Sequence, residues 1–238
     1  MKGPNERHLP YFKLIEALES PGCPICRQAE EAVESSINAL LTELVTDAHT
    51  RTRIAESFGF CREHAWRLVA HADVLGTAMI HRELVRRFRG LVRSGRGALT
   101  APDRARRPSC PLCATRAETA DRALAILIEH LNDDKVAAAL AGSDGLCRSD
   151  FAAAAAALHN RREQAERLAS IQEGCLDRLL GDLDELIRKN DYRFRDEGLE
   201  PSERDAWTRG VAAVSGLDVA RLPRRRPASF PPPRRPPP

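Results

Sequence analysis

Aromatic residues are scarce in this sequence, at 5% of its 238 positions, while alanine and leucine fill most of the apolar positions. Alanine and leucine favour helices, whereas strands are enriched in aromatic and β-branched residues. We therefore predict an all-α protein, and the chain is long enough to bury a core of its own.

Long apolar runs are also missing. No stretch approaches the roughly 18 residues needed to cross a bilayer, and the first residues, MKGPNERHLPYFKL, lack the apolar segment of a signal peptide. These absences predict a cytoplasmic protein with no membrane partner. Cytosolic thiols stay reduced, so the seven cysteines indicate metal ligation or redox chemistry before structural disulfides.

Positive charge is concentrated at one end of the chain. The net charge is +3, but residues 221–238 hold six arginines and no acid, which leaves −3 for the rest. The folded body is therefore not expected to bind nucleic acid by charge. The tail, residues 221–238, is rich in proline and arginine and predicts disordered chain of polyproline II character. We consider it as a docking segment for an unknown macromolecular partner, with a solvated tail as the alternative.

Six of the cysteines fall into two copies of one pattern, CPIC followed by GFCREH and CPLC followed by GLCRSD. The first cysteine precedes the third by 38 residues in one copy and by 37 in the other. Two motifs that recur in the same order at matched spacing indicate an internal duplication.

The chemistry of these residues is that of tetrahedral zinc, which takes four ligands at CxxC and CxxH spacing. We predict that each copy builds its own site and that the chain holds one or two zinc ions. Site 1 consists of Cys23, Cys26, Cys61 and His64, and site 2 consists of Cys110, Cys113, Cys147 and Asp150. A proline after the first cysteine and a glycine before the third predict helix starts there, where backbone amides and the helix dipole stabilise thiolates.

The second site departs from the first, because Asp150 stands where His64 stands. Three alternatives remain open: a site with three cysteines and the aspartate, an open three-cysteine site with water, or decay after duplication. His159 cannot easily replace the histidine, since nine helical residues carry it about 13 Å away. Cys175 lies on an apolar stripe and is interpreted as core. A dithiol redox pair would want a βαβ context, which the sequence does not show.

The two copies also divide the chain. We predict a first helical repeat at 1–94, a linker at 95–109, a second repeat at 110–189, a C-terminal loop and helix at 190–220, and then the tail. Apolar residues at three- and four-residue steps predict the helices, the longest from roughly Asp150 to Lys189. A last helix is expected over about residues 201–215.

With these motifs, the chain resembles an uncharacterised bacterial family of unknown function that carries C-P-x-C and G-[FL]-C-x-x-H twice. The resemblance covers about residues 8–217 and includes the segment KNDYRF, which begins at Lys189, and a helix with Asp205 and Trp207. It implies a helical, metal-binding protein without an established activity. Asp150 departs from the family pattern, and the tail lies outside it.

The predicted function is that of a zinc-binding, non-catalytic helical protein that acts as a cytoplasmic binding or regulatory module. The alternative is a thiol-based redox or metal sensor whose clusters exchange metal for disulfide. A third reading is a metal-dependent enzyme at an open second site. No phosphate loop, dinucleotide fingerprint or HExxH motif occurs in the sequence.

Overall fold

The structure, a computed structural model, describes residues 9–93 and 110–216. Within these ranges the chain forms ten α-helices and one 3-10 turn (Arg195–Glu197) and no strand, so the predicted all-α class is confirmed. None of the described helices is both long and apolar enough to span a bilayer. The helices are α1 (Leu9–Leu18), α2 (Pro24–Thr42), α3 (Ala48–Glu56), α4 (Arg62–Ala70), α5 (Val74–Arg93), α6 (Pro111–Glu129), α7 (Asp134–Gly142), α8 (Arg148–Ala157), α9 (Arg162–Lys189) and α10 (Pro201–Ser215).

Two series of four helices follow each other along the chain. Helices α2 to α5 have 19, 9, 9 and 20 residues, and α6 to α9 have 19, 9, 10 and 28. The first three helices of the two series match in order and nearly in length, which supports the predicted duplication, while the fourth is longer in the second series. Helix α1 precedes the first series and α10 follows the second.

Cysteines begin four of these helices. Cys23, Cys61, Cys110 and Cys147 are the N-cap residues of α2, α4, α6 and α8. Pro24 and Pro111 occupy the first helical positions of α2 and α6, where a missing N–H costs nothing. The predicted helix starts are therefore confirmed.

Glycine is required two residues before the third cysteine of each motif. Gly59 and Gly145 have φ angles of +94° and +74°, which glycine adopts without steric cost. A Cβ on Gly59 would lie 2.8 Å from Leu84 Cδ1, and a Cβ on Gly145 would lie 2.9 Å from Gln172 Oε1. The chain therefore turns sharply into α4 and α8 while it packs closely against α5 and α9.

Helices α2 and α6 pack against each other in the centre and are antiparallel. Ile25 at the start of α2 shares a core with Leu127 near the end of α6. Ile37 near the end of α2 shares a second core with Leu112 at the start of α6. The first core is the larger, and α1 adds Leu14 and other apolar residues to it. The two repeats therefore pack against each other along α2 and α6.

The long C-terminal helix is shorter than predicted. The stretch from Asp150 to Lys189 is broken between α8 and α9, where residues 158–161 form a turn. Leu158 is fully buried in the larger core, and Asn160, which favours turns, stands in this connection. The predicted last helix is confirmed as α10, and the predicted linker at 95–109 and the tail at 221–238 lie outside the described residues.

Candidate metal centres

The eight predicted ligands come together in two groups of four, but with their partners exchanged between the repeats. Cluster A consists of Cys61, His64, Cys110 and Cys113, and cluster B consists of Cys23, Cys26, Cys147 and Asp150. The predicted grouping, with one site inside each repeat, is therefore wrong. Each cluster takes the CPxC pair of one repeat and the third cysteine, with its histidine or aspartate, of the other.

Helix lengths explain the exchange. The 19 residues of α2 carry the chain about 28 Å away from Cys23, and the nine residues of α3 cover only about 13 Å of the return. Cys61 therefore remains near the far end of α2. Because α6 is antiparallel to α2, the cysteine pair that begins α6 lies at this same end and completes the set.

Cluster A has the dimensions of a tetrahedral site. His64 Nδ1 lies 3.2 Å from Cys61 Sγ, 3.5 Å from Cys110 Sγ and 3.4 Å from Cys113 Sγ. Cys61 Sγ and Cys113 Sγ are 3.7 Å apart. Around a tetrahedral zinc ion, sulfur atoms would be about 3.8 Å from each other and about 3.5 Å from the nitrogen. The four side chains are therefore spaced as ligands of one ion.

Cluster B repeats this arrangement with a carboxylate in place of the imidazole. Asp150 Oδ2 lies 3.1 Å from Cys23 Sγ, 3.2 Å from Cys26 Sγ and 3.1 Å from Cys147 Sγ. Cys26 Sγ and Cys147 Sγ are 3.7 Å apart. About 3.5 Å would separate sulfur from oxygen around zinc, so cluster B is slightly more compact than a loaded site. The aspartate thus completes the ligand set.

The sulfur distances distinguish ligand clusters from disulfides. A disulfide bond is about 2.05 Å long, whereas the Sγ atoms are 3.7 Å apart both in the pair Cys26–Cys147 and in the pair Cys61–Cys113. None of the seven cysteines, all of which lie in the described residues, forms a disulfide. Each cluster also places the positive ends of two helices beside its sulfur atoms, α4 and α6 at cluster A and α2 and α8 at cluster B, which favours thiolates.

The pKa values of the cluster side chains are shifted by different causes in the two clusters. In cluster B the thiols of Cys23 and Cys26 hydrogen bond to Cys147 and lower the pKa of Cys147 far below that of a free thiol. The same bond to Cys147 raises the pKa of Cys23, and burial raises the pKa of Asp150. A metal ion bound in cluster B would displace the protons of these groups.

In cluster A, burial is the main cause of the pKa shifts. It lowers the pKa of His64, which is fully enclosed, so the imidazole is neutral and Nδ1 can act as a ligand. Burial, followed by the neighbouring Cys110, raises the pKa of Cys113 to about 12. A metal ion bound here would therefore also release a proton from Cys113.

Buried ion pairs surround cluster A, and the sequence analysis missed them. Arg67, one turn after His64, donates to Glu30 Oε2 and Glu34 Oε1 at 2.6 Å each. Arg116 of α6 lies 2.8 Å from the other oxygen of Glu30. Glu30 is 2% exposed. The signal in the sequence was the position of Arg67, which shares the inward face of α4 with His64.

Polar contacts of another kind support cluster B. The side chain of Gln172 accepts a hydrogen bond from the Leu146 amide at 2.8 Å and donates one to the Leu146 carbonyl at 3.0 Å. Asp144 Oδ2 accepts a 2.6 Å hydrogen bond from the Gly22 amide. The turns that precede Cys147 and Cys23 are therefore fixed to α9 and to each other.

The remaining candidate residues stay outside both clusters. Cys175 is 3% exposed, and its Sγ lies 3.5 Å from the carbonyl oxygen of Leu140, which confirms its interpretation as core. His159 is exposed and belongs to neither group of candidate ligands. The four ligands of each cluster therefore come from the duplicated motifs alone.

Comparison with known proteins extends over nearly the whole chain. A model described as a family of unknown function, DUF6062, matches residues 7–221. An uncharacterized 23.9 kDa protein in the xynA 3′ region of Caldicellulosiruptor sp. (strain Rt8B.4) is 26% identical in an alignment of 212 residues that covers 85% of this chain and 99% of that protein. No solved structure matches. The family match includes both repeats and all eight cluster residues.

Proposed function

The chain belongs to the family of unknown function DUF6062, and from the geometry of its clusters we propose that it is a zinc-binding helical scaffold whose two repeats are joined by two ions. The observation that carries this proposal is the crossed ligand set, in which each cluster draws two ligands from each repeat. An ion in either cluster would connect the N-termini of two helices from different repeats. Metal binding would then contribute directly to the free energy of folding.

Zinc is the ion that these donors favour. Thiolate and imidazole ligands at tetrahedral spacing suit zinc, whereas magnesium and calcium take six or more oxygen ligands. Cluster A offers three sulfurs and one nitrogen, a set typical of structural zinc. Cluster B offers three sulfurs and one carboxylate oxygen, which zinc also accepts.

A non-catalytic role follows from the closure of the sites. Four protein ligands leave no coordination position for water in a tetrahedral site. The cavity beside Cys23 and Cys147 has a volume of about 10 Å³, close to the minimum for a single water molecule. This supports a structural or regulatory ion over an activated water. We propose a cytoplasmic module, since reduced thiols are needed, with the tail at 221–238 as docking segment for an unknown macromolecule.

Double variants test both the metal and the crossing. Native mass spectrometry of protein purified without chelator should find two zinc ions in the wild type. Cys61→Ser with Cys110→Ser alters only cluster A, so one ion should remain. Cys23→Ser with Cys61→Ser alters both clusters, so both ions should be lost.

The opposite pattern would identify sites within the repeats, because Cys23 and Cys61 would then belong to one ion. Cys175→Ser is the matched control, since this cysteine is buried in the core and ligates nothing in either arrangement. A wild type that contains no zinc and takes none up would overturn the proposed function.

A redox sensor is the second candidate, and one distance favours it. Cys26 Sγ and Cys147 Sγ belong to different repeats and are 3.7 Å apart, so a small movement would bring them to bonding distance. Hydrogen peroxide would accept two electrons from the two zinc-bound thiolates, an S–S bond would form as its O–O bond breaks, two protons from solvent would complete two water molecules, and the zinc ion would leave. Zinc retained under peroxide favours the scaffold, and zinc release with a Cys26–Cys147 disulfide favours the sensor.

A further inference from the structure

We infer that helix α10 and a metal ion in cluster B stabilise each other, so that occupancy of cluster B controls the docking of α10. This inference rests on the proposed function, because it requires an ion in cluster B. It adds a regulated element, which the scaffold proposal does not contain.

The C-terminal end of α10 lies directly against cluster B. A Cβ added to Gly216, the C-cap of α10, would be 3.6 Å from Cys26 Sγ. Ala212 and Ala213 line the small cavity beside Cys23 and Cys147. Small side chains on this face allow the helix to approach the ligands closely. Helix α10 therefore covers cluster B on this side.

Arg209 connects the middle of α10 to the turn that carries Cys147. Its Nη1 donates to Asp144 Oδ1 at 3.2 Å, and its Nη2 donates to Asp182 of α9. The guanidinium is half-buried and also donates to the Ser202 carbonyl at 2.7 Å and to Asp205 at 2.9 Å. Charge-assisted hydrogen bonds of this kind are strong when water has limited access.

Asp144 also contacts the turn that precedes Cys23, which is the second turn that carries ligands of cluster B. One carboxylate oxygen binds Arg209, and the other accepts the 2.6 Å hydrogen bond from Gly22, which precedes Cys23. Arg209 therefore holds α10 to a carboxylate that bridges both turns of cluster B. The position of Asp144 depends on how far apart these turns are.

A metal ion would fix that separation. The three sulfurs and the carboxylate oxygen lie within 4.8 Å of one another, and four bonds to one ion would hold them at a single spacing, whereas weak thiol hydrogen bonds alone allow wider spacing. Wider spacing would move Asp144 away from Gly22 or Arg209 and weaken the attachment of α10. By thermodynamic linkage, undocking of α10 must weaken metal binding by the same factor.

The other end of α10 would stay in place. Lys189 of α9 donates to Glu203 Oε1 at 2.7 Å, and Glu203 also accepts from the Glu200 amide at 2.8 Å. These contacts are independent of cluster B. The helix would therefore detach from its C-terminal end, and Trp207 would move with it as a spectroscopic reporter.

Hydrogen exchange measured by mass spectrometry tests the coupling in one direction. In the full-length chain, Cys147→Ser should remove the cluster B ion and speed amide exchange in the peptide 201–216 at least about tenfold, the size of a typical second-shell effect on metal binding. Cys61→Ser, which removes the cluster A ion, should leave exchange in that peptide unchanged. Equal exchange in the wild type and in Cys147→Ser would overturn the inference.

Chelator challenge tests the other direction and does not require a damaged site. Arg209→Gln should release the cluster B ion about tenfold faster than the wild type, with cluster A unchanged. Arg204→Gln is the matched control, because this exposed arginine of the same helix bonds only the Leu199 carbonyl in the described structure. Asp144→Asn keeps an oxygen for Gly22 and should reproduce the Arg209→Gln effect.

The outcomes separate the two proposals. If the wild type binds two ions but Arg209→Gln and Asp144→Asn release both as slowly as the wild type, the coupling is refuted and the scaffold stands. If the wild type binds no metal at all, both proposals fail together, and the metal count alone identifies this case.

Discussion

The two ends of the molecule are stabilised by different kinds of contact. The core beside cluster B contains 17 buried residues, and the core beside cluster A contains nine. Helix α1 adds apolar residues at the cluster B end, and α10 covers that cluster. The cluster A end instead has the buried pair of Arg67 and Glu30. We therefore expect the stability of the end with less apolar burial to depend more on its buried charges and on metal binding.

The repeats show where this difference originated. Arg67 follows His64 by three residues, and the residue that follows Asp150 by three is Ala153, which is exposed. Glu30 follows Cys26 by four, and Ala117 follows Cys113 by four. Alanine therefore stands at both positions where the first repeat has its buried charges. The second copy does not form this ion pair and relies on apolar packing.

Removal of the cluster A ion is the largest expected effect. Cys61→Ser should lower the free energy of unfolding by about 4 kcal/mol or more, and Tm by about 10 °C, because the smaller core loses its connection to α6. Cys147→Ser should cost less, since the larger core remains. Circular dichroism melts of both variants check this order. Equal losses of unfolding free energy, or a larger loss for Cys147→Ser, would contradict the expectation that the cluster A end depends more on its ion.

The next largest effect is expected from disruption of the buried ion pair between Arg67 and Glu30. Arg67→Met should cost about 3 kcal/mol, because Glu30 at 2% exposure loses a direct partner. The double variant with Glu30→Met should recover part of this loss. Urea denaturation measures both. Glu63→Gln serves as control, because Glu63 is largely exposed and its contact with Arg116 is 3.9 Å long; a comparable loss there would contradict the assignment.

A smaller effect is expected at the turn before Cys147. Gln172→Leu should cost about 2 kcal/mol, because it leaves the buried amide and carbonyl of Leu146 without the hydrogen bonds that Gln172 provides. The first repeat has Leu84 against the corresponding glycine. Chemical denaturation gives the value, with the exposed neighbour Glu173→Gln as control. A neutral Gln172→Leu would show that apolar packing suffices at both turns.

The smallest effect is expected when the fourth ligand of one cluster is replaced by the ligand type of the other. Asp150→His gives cluster B the ligand types of cluster A and should lengthen zinc retention about tenfold, or about 1.4 kcal/mol, because imidazole replaces carboxylate in a sulfur-rich site. His64→Asp should shorten retention at cluster A. Chelator competition followed by a colorimetric zinc indicator measures both. Faster release from Asp150→His would show that the second copy is adapted to its carboxylate.

The sequence predicted the all-α class, the duplication and all eight cluster residues, because proline, glycine and cysteine act locally at helix starts. The crossed pairing was missed because the spacing between motifs is equally compatible with sites within repeats and between them. Only the 19-residue length of α2 and its antiparallel packing on α6 decide the question. Such packing depends on contacts between Ile25 and residues a hundred positions away.

The supporting contacts were also beyond the sequence. Arg209 and Asp144 are 65 residues apart, and nothing in either local segment marks them as partners. Glu30 and Arg67 occur among many charged residues that lie on the surface, so their burial could not be distinguished by composition. The break between α8 and α9 was missed because the alanine run of α8 continues the helical pattern up to the turn at Asn160.

A single repeat of this chain holds only half of each cluster, so it can complete a four-ligand site only against a second copy. Two copies related by a twofold axis would satisfy both sites at once, as residues do in an isologous homodimer. The two repeats of the chain therefore share their sites in the way that the two subunits of a symmetric dimer would. Fusion makes assembly independent of concentration and lets the two sites diverge, which a dimer of identical subunits does not allow.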